Sequence, residues 1–298
     1  MILIADSGGT KSDWTLLHSP YPHNWETVAA FQTQGISPIH QEPDAIRQIL
    51  GHDVVSQLST FSRAALINSK VLDTPLLSQI EVFFYGSGCT PAHVPMMKQM
   101  LAQVFPSNKI EVHSDLMAAA RGLCQHEPGI ACILGTGANS CLYDGQNIVQ
   151  NTPALGYILG DEGGGAVLGR LFMNAIFKNP QLADIRDDYL SETGLTQADI
   201  INKVYREPLA NRFLATTSPY IQKHLDNPYL SDMVVQNFRQ FFRCNIVPYQ
   251  HAELPVHFVG SMAYHYGEQL AQAAEIEGFN LGHIVKSPME GLIAYHTN

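Results

Sequence analysis

Residues 1–14 read Met1-Ile2-Leu3-Ile4-Ala5-Asp6-Ser7-Gly8-Gly9-Thr10-Lys11-Ser12-Asp13-Trp14. An apolar run, Ile2 to Ala5, ends on Asp6 and passes through two glycines and a threonine. A second apolar run, Trp14 to Leu17, follows. Short apolar runs bounded by Gly-rich turn residues predict two strands joined by a tight turn. Glycines let the backbone turn without steric cost and come close to another group. The bare N–H groups of Gly8 and Gly9, with the Thr10 hydroxyl, suit phosphate oxygens. Asp6, at the strand end, suits a hydrated Mg²⁺, which prefers oxygen ligands and keeps waters. The spacing is neither the GxxxxGK[ST] of a P-loop nor the GxGxxG of a dinucleotide fold. The same residues also suit an ordinary hairpin turn with an Asx cap.

The design recurs. Ile130 to Leu134 leads into Gly135-Thr136-Gly137-Ala138-Asn139-Ser140 and then Cys141 to Tyr143. Val256 to Val259 leads into Gly260-Ser261-Met262-Ala263 and a helix-like stretch. Two strand–turn–strand units predict two α/β lobes of related design. Further strands are expected at Glu81 to Tyr85 and Ile110 to His113. Helices are expected at about 91–105, with Pro91 in a first turn, and at 116–125, 163–177, 264–277 and 289–296. The stretch from about 165 to 250 reads as almost wholly helical, which points to a helical insertion in the second lobe.

Three further places carry candidate chemistry. Asp115 in Val112-His113-Ser114-Asp115-Leu116 sits where a strand ends and an alanine-rich helix begins. It reads either as a helix N-cap or as a general base, with Ser114 taking over the cap in the second case. In Gly156-Tyr157-Ile158-Leu159-Gly160-Asp161-Glu162-Gly163-Gly164-Gly165, adjacent carboxylates precede three glycines at a helix start. That string suits sugar hydroxyls or metal-bound water, or else an acidic cap. Small residues at Gly260 and Ser261 suit packing on a flat adenine or ribose, or simply a tight strand-to-helix turn. Asn139 offers both donors and an acceptor to a polyol, or serves as a turn residue.

Composition excludes several function classes. The 298 residues carry 17 Lys and Arg against 27 Asp and Glu, a formal net charge of −10, so no basic face for a nucleic-acid backbone is expected. No apolar run approaches the roughly 18 residues of a membrane helix, and no basic leader precedes the first apolar run. A cytoplasmic protein is expected. Five cysteines without a Cys-x-x-Cys spacing fit reduced thiols and argue against a structural zinc site. The thirteen histidines show no ligand pair at helical spacing.

Seven ordered stretches, ADSGGTKSDW, YGSGC, HSDLMAAARG, ILGTGANS, GYILGDEGGGAVLG, FVGSMAYH and SPMEGLIAY, resemble the N-acetylglucosamine kinases and BadF-type ATPases of the actin-like ATPase and sugar kinase superfamily. The resemblance covers nearly the whole chain. It implies an α/β fold of two actin-like (ribonuclease H-like) lobes with an interlobe cleft: residues 1–113, residues 114–286, and a terminal helix, 287–298, returning to the first lobe. It implies an ATP- and Mg²⁺-dependent sugar kinase acting on an amino sugar, with N-acetylglucosamine to its 6-phosphate foremost. Glucosamine and N-acetylmuramic acid kinases, and a BadF-type activator of a partner reductase, are the alternatives, and a homodimer is compatible with the match. Asp115 then matches the catalytic base and Asp6 the Mg²⁺-side carboxylate. Gly8, Gly9, Thr10, Lys11, Thr136, Gly137, Gly260 and Ser261 fall on the nucleotide side. Asn139, Leu155, Gly156 and Asp161 fall on the sugar side. Relatives often carry a sugar-contacting asparagine in the loop that here reads Gly35-Ile36-Ser37-Pro38, so Ser37 or its neighbours are expected to substitute.

Overall fold

Strand β1 (Ile2–Ser7) lies between an antiparallel neighbour, β2 (Lys11–Tyr21), and a parallel one, β4 (Glu81–Gly86). With β3 (Asn24–Gln34) and β5 (Ile110–Ser114) they make a sheet of order β3-β2-β1-β4-β5. The computed structural model describes residues 1–65 and 77–298. The chain divides into two compact units, Met1–Gln125 with Pro288–Asn298, and His126–Ser287.

The continuous apolar run of β1 follows from burial on both faces. Leu3 and Ala5 join one core with Trp14, Phe84 and Val112. Ile2 and Ile4 point the other way, into a core with Phe83, Tyr85, Ala118 and Leu292. Ala118 belongs to the helix Asp115–Cys124 and Leu292 to the terminal helix Met289–Thr297. The first unit therefore runs on past residue 113, where the sequence reading ended the first lobe, because the helix after β5 packs on β1 and β4. The two helices cross at glycines. A Cβ on Gly291 would lie 1.9 Å from the Gly122 carbonyl oxygen, and the Gln125 side-chain amide donates to the Gly291 carbonyl at 2.9 Å.

Strand β3 was not anticipated: its sequence, NWETVAAFQTQ, exposes polar residues along an edge strand, so no clean apolar run marks it. The helix expected from 91 begins at Val94, with Pro95 rather than Pro91 in its first turn.

The second unit repeats the hairpin. β6 (Gly129–Leu134) pairs antiparallel with β7 (Ala138–Tyr143) over six residue pairs, as β1 does with β2. With β8 (Ile148–Gln150), β9 (Val256–Val259) and β10 (Leu281–Val285) it makes a sheet of order β10-β9-β6-β7-β8. Between β8 and β9 the chain is mostly helical, including Gly165–Lys178 and Pro228–Phe241. The latter runs into a π-helical turn, Phe242–Ile246, and a 3-10 turn, Val247–Tyr249. Phe172, Phe238, Phe241, Phe242 and Phe258 fill the core between these helices and β9. The single helix expected at 264–277 is two, Ser261–His265 and Gly267–Glu277. Between them Tyr266 leaves helical geometry (φ −116°, ψ 33°), and its buried hydroxyl donates to the Ser218 carbonyl at 2.6 Å. Among the described residues no helix is long and apolar enough to cross a membrane.

Candidate functional site

In the first unit the C-terminal ends of β1, β4 and β5 lie side by side, with Ser7 opposite Gly86 and Gly86 opposite Ser114. Parallel strand ends of an α/β sheet are where ligands are expected. Asp6 stands at the end of β1, and Asp115 is the first residue beyond β5. Ser114 is the N-cap of the helix, its Oγ accepting from the Met117 N–H at 3.2 Å. The cap is thus supplied without Asp115. The Asp115 carboxylate accepts instead from the Leu116 N–H at 2.9 Å and from the hydroxyl of Ser87. Ser87 is held in turn by its own N–H, which donates to the Ser7 carbonyl at 2.8 Å. Ser87 was not a sequence-level candidate, since a lone loop serine carries no pattern. Its one signal was the YGSGC stretch.

Desolvation pushes the Asp6 carboxyl up to about 7, and the neighbouring Asp13 and Asp115 carboxylates add to the rise while Lys11 opposes it. Desolvation also raises Asp115, against hydrogen bonds that lower it. Half-buried carboxylates close enough to repel are relieved by a divalent cation. Among the described residues no three His, Cys, Asp or Glu side chains cluster as metal ligands. Two neighbouring carboxylates are a donor set that suits Mg²⁺, which takes one or two carboxylates and completes its shell with water and phosphate.

The hairpin beside Asp6 closes through the Gly8 N–H, which donates to the Lys11 carbonyl at 2.9 Å. Gly8, Gly9, Thr10 and Lys11 are exposed, and Lys11 Nζ lies 2.9 Å from Asp13. Gly35 packs onto this turn so closely that a Cβ there would stand 2.3 Å from the Gly8 carbonyl oxygen. Ser7 Oγ, 2.5 Å from Ser12 Oγ, accepts from the Ile36 N–H at 2.9 Å and so ties the following loop to the hairpin. Ser37 in that loop is 3% exposed, and its hydroxyl has no hydrogen-bond partner among the described residues. It lies against Gly88 rather than on an open face.

In the second unit the Gly135 N–H donates to the Gly137 carbonyl at 3.0 Å and closes the turn. The start of helix Gly165–Lys178 docks on that turn: the Gly165 and Ala166 N–H groups donate to the carbonyls of Gly135 and Thr136 at 2.8 and 2.9 Å. A helix N-terminus carries positive partial charge, and here its first N–H groups are taken up by the carbonyls of the turn. Thr136 is exposed, and open space surrounds the position a Cβ would take on Gly135. Asp161 takes a left-handed φ of 55°, and its carboxylate accepts from the N–H groups of Gly156 and Ala138. Asn139 Oδ1 accepts from the Ser140 N–H and from the Asn151 amide at 2.9 and 3.0 Å. Leu155 is 58% exposed, and Gly156 is open with φ 75°. Gly260 has φ 120°, and a Cβ there would meet the Leu134 carbonyl oxygen at 2.3 Å; Ser261 follows, exposed at the start of a helix. The structure thus gathers Asn139, Gly156 and Asp161 around one turn, with Thr136 and Gly137, while Gly260 lies against the end of β6.

Among solved structures, a protein of Porphyromonas gingivalis classed with the N-acetylglucosamine kinases is 44% identical to this chain, covering 100% of it and 99% of that chain, with a TM-score of 0.87. The chain belongs to the N-acetylglucosamine kinase family. A Chromobacterium violaceum protein classed with the same kinases has a TM-score of 0.71 at 18% identity, covering 99% of this chain and 98% of its own. The ROK hexokinase of Thermus thermophilus has a TM-score of 0.51 at 12% identity, covering 99% and 96%. At those identities the two share the actin-like sugar kinase fold with this family. No family model matches the chain, and a search of curated proteins returns no match.

Proposed function

We propose that this protein is an ATP-dependent sugar kinase that phosphorylates an amino sugar, N-acetylglucosamine foremost, at O6. The observation that carries the reading is the placing of Asp115: a half-buried carboxylate beside Asp6 at the ends of parallel strands, freed from capping by Ser114. The 44% identical relative, classed with the N-acetylglucosamine kinases over the whole chain, supports the choice of substrate.

Asp115 orients the sugar hydroxyl and accepts its proton as that oxygen bonds to the γ-phosphorus; the bond from the γ-phosphorus to its bridging oxygen breaks, and ADP leaves. Ser87 and the Leu116 N–H hold the carboxylate in place for this. The exposed turn from Gly8 to Lys11, with the Thr10 hydroxyl, and the exposed Thr136 hydroxyl hold phosphate oxygens. Gly260 and Ser261 face the adenosine. Asp6 would hold Mg²⁺ through water, and the ion supplies charge neutralisation on the phosphates. Asn139, Leu155, Gly156 and Asp161 take the sugar.

A coupled ADP-release screen across N-acetylglucosamine, glucosamine, N-acetylmuramic acid and glucose tests the reading. The expected outcome is turnover highest with N-acetylglucosamine and dependent on Mg²⁺. Sugar-independent ADP release, or none with any amino sugar, overturns it.

A further inference from the structure

Asn245 and Tyr249 lie far along the chain from the sugar-side residues, yet they hold the segments that carry them. Both are buried, 7% and 3% exposed. The Tyr249 hydroxyl accepts from the Thr152 N–H at 3.0 Å and lies 2.7 Å from Ser140 Oγ. Ser140 Oγ gives its proton to the Asn245 carbonyl at 3.3 Å, so the tyrosine hydroxyl donates to Ser140. The Asn245 carbonyl also accepts from Thr152 Oγ1 at 3.0 Å, which closes the ring. The Asn245 amide reaches outward to Glu162 Oε2 at 3.3 Å. Asn245 sits in the π-helical turn Phe242–Ile246, where the chain leaves a helix and its last carbonyls are free to accept. π-helical turns recur at functional sites.

Each residue this ring grips adjoins one of the proposed sugar contacts. Ser140 follows Asn139, Glu162 follows Asp161, and Thr152 opens the loop that leads to Leu155 and Gly156. That loop is exposed from Pro153 to Gly156, and its start is held by the ring together with Asn151, whose amide donates to Asn139 Oδ1 and to the Ser140 carbonyl at 3.0 and 2.7 Å. We propose that Tyr249 and Asn245 are positioning residues for the acceptor sugar: through Ser140, Thr152 and Glu162 they set the spacing of the sugar-binding segments without touching the sugar. This rests on the kinase reading above.

The test measures steady-state kinetics of Y249F and T152V, with N-acetylglucosamine and ATP varied separately. Phenylalanine keeps the ring packed and removes only the hydroxyl; valine keeps the shape of Thr152 and removes its bond to Asn245. The expected result is a sugar KM raised about tenfold in Y249F and about threefold in T152V, with kcat and the ATP KM within about twofold, the signature of lost substrate binding. A role confined to stability would lower the melting temperature and leave the sugar KM unchanged in the folded fraction. A wild-type sugar KM in both folded variants, or sugar and ATP KM rising together, overturns the proposal. Should Y249F fail to fold, T152V decides alone by the same criteria. A wild-type enzyme that phosphorylates none of the sugars removes the kinase reading, and the proposal with it.

Discussion

Gly137 and Asp161 occupy one space: a Cβ on Gly137 would stand 2.5 Å from Oδ2 of Asp161. The carboxylate is anchored there by the Gly156 and Ala138 N–H groups, and its own backbone takes φ 55° to reach them. The β6–β7 turn and the loop from Gly156 to Asp161 are therefore shaped by one glycine. Gly137→Ala is expected to push the carboxylate off its two donors, lowering stability by about 1–3 kcal/mol and raising the sugar KM. Thermal melts and kinetics check this. Wild-type values for both would show that the carboxylate shifts freely.

Asp115→Asn removes the proposed proton acceptor and retains the size of the side chain. Turnover is expected to fall by a factor of about 10² or more, the range typical of general-base loss, while nucleotide binding persists. Rapid-quench turnover beside a nucleotide-binding titration separates the two. Near-normal turnover would remove Asp115 from the base role.

Gly291→Ala places a methyl group against the Gly122 backbone, which has no flexible end to yield. The helices Asp115–Cys124 and Met289–Thr297 must separate, at a cost of about 1–3 kcal/mol or more. Both tryptophans, Trp14 and Trp25, lie in the first unit, so their fluorescence in urea reports on this unit. The transition is expected at lower urea in the variant. An unmoved transition would contradict the close crossing.

Arg121 Nη1 and His296 Nε2 each lie 2.8 Å from the Tyr85 hydroxyl. Tyr85 accepts from the guanidinium, and the direction of its bond to His296 is set by the tautomer of that imidazole. Desolvation, with the Arg121 charge, lowers its pKa to about 4. Between the ordinary histidine value near 6.5 and about 4, the unfolded chain binds the proton and the native unit does not. This site therefore costs the first unit no stability above pH 6.5 and costs it progressively more as pH falls towards 4, at up to about 1.4 kcal/mol per pH unit. His296→Gln, whose side-chain amide can accept from or donate to Tyr85, is expected to flatten that slope in urea titrations followed by tryptophan fluorescence. Parallel slopes for wild type and variant would show that His296 does not titrate in this way.

Much of the fold was legible because its signals are local. The apolar runs before Gly8 and Gly135 became β1 and β6, and of the two residues that could cap the helix at 115, Ser114 does so. What was missed lacked a strong local signal. β3 carries too many polar residues to stand out. Tyr266 breaks the expected helix just before Gly267, a weak signal by itself, and its buried hydroxyl donates to the Ser218 carbonyl. Ser87, Asn245 and Tyr249 act through partners distant in the chain.

The sequence by itself determined where strands end in glycine turns, which residues bear carboxylates beside them, and that two such units exist, since side-chain period and backbone freedom are read over a few residues. The tertiary structure alone decided that Asp6 and Asp115 share one place, that Asp161 fills the space left by Gly137, and that a tyrosine at 249 holds the loop at 152. Those meetings depend on strands and helices pairing across the chain, where burial and hydrogen bonding are satisfied by residues that no local period relates.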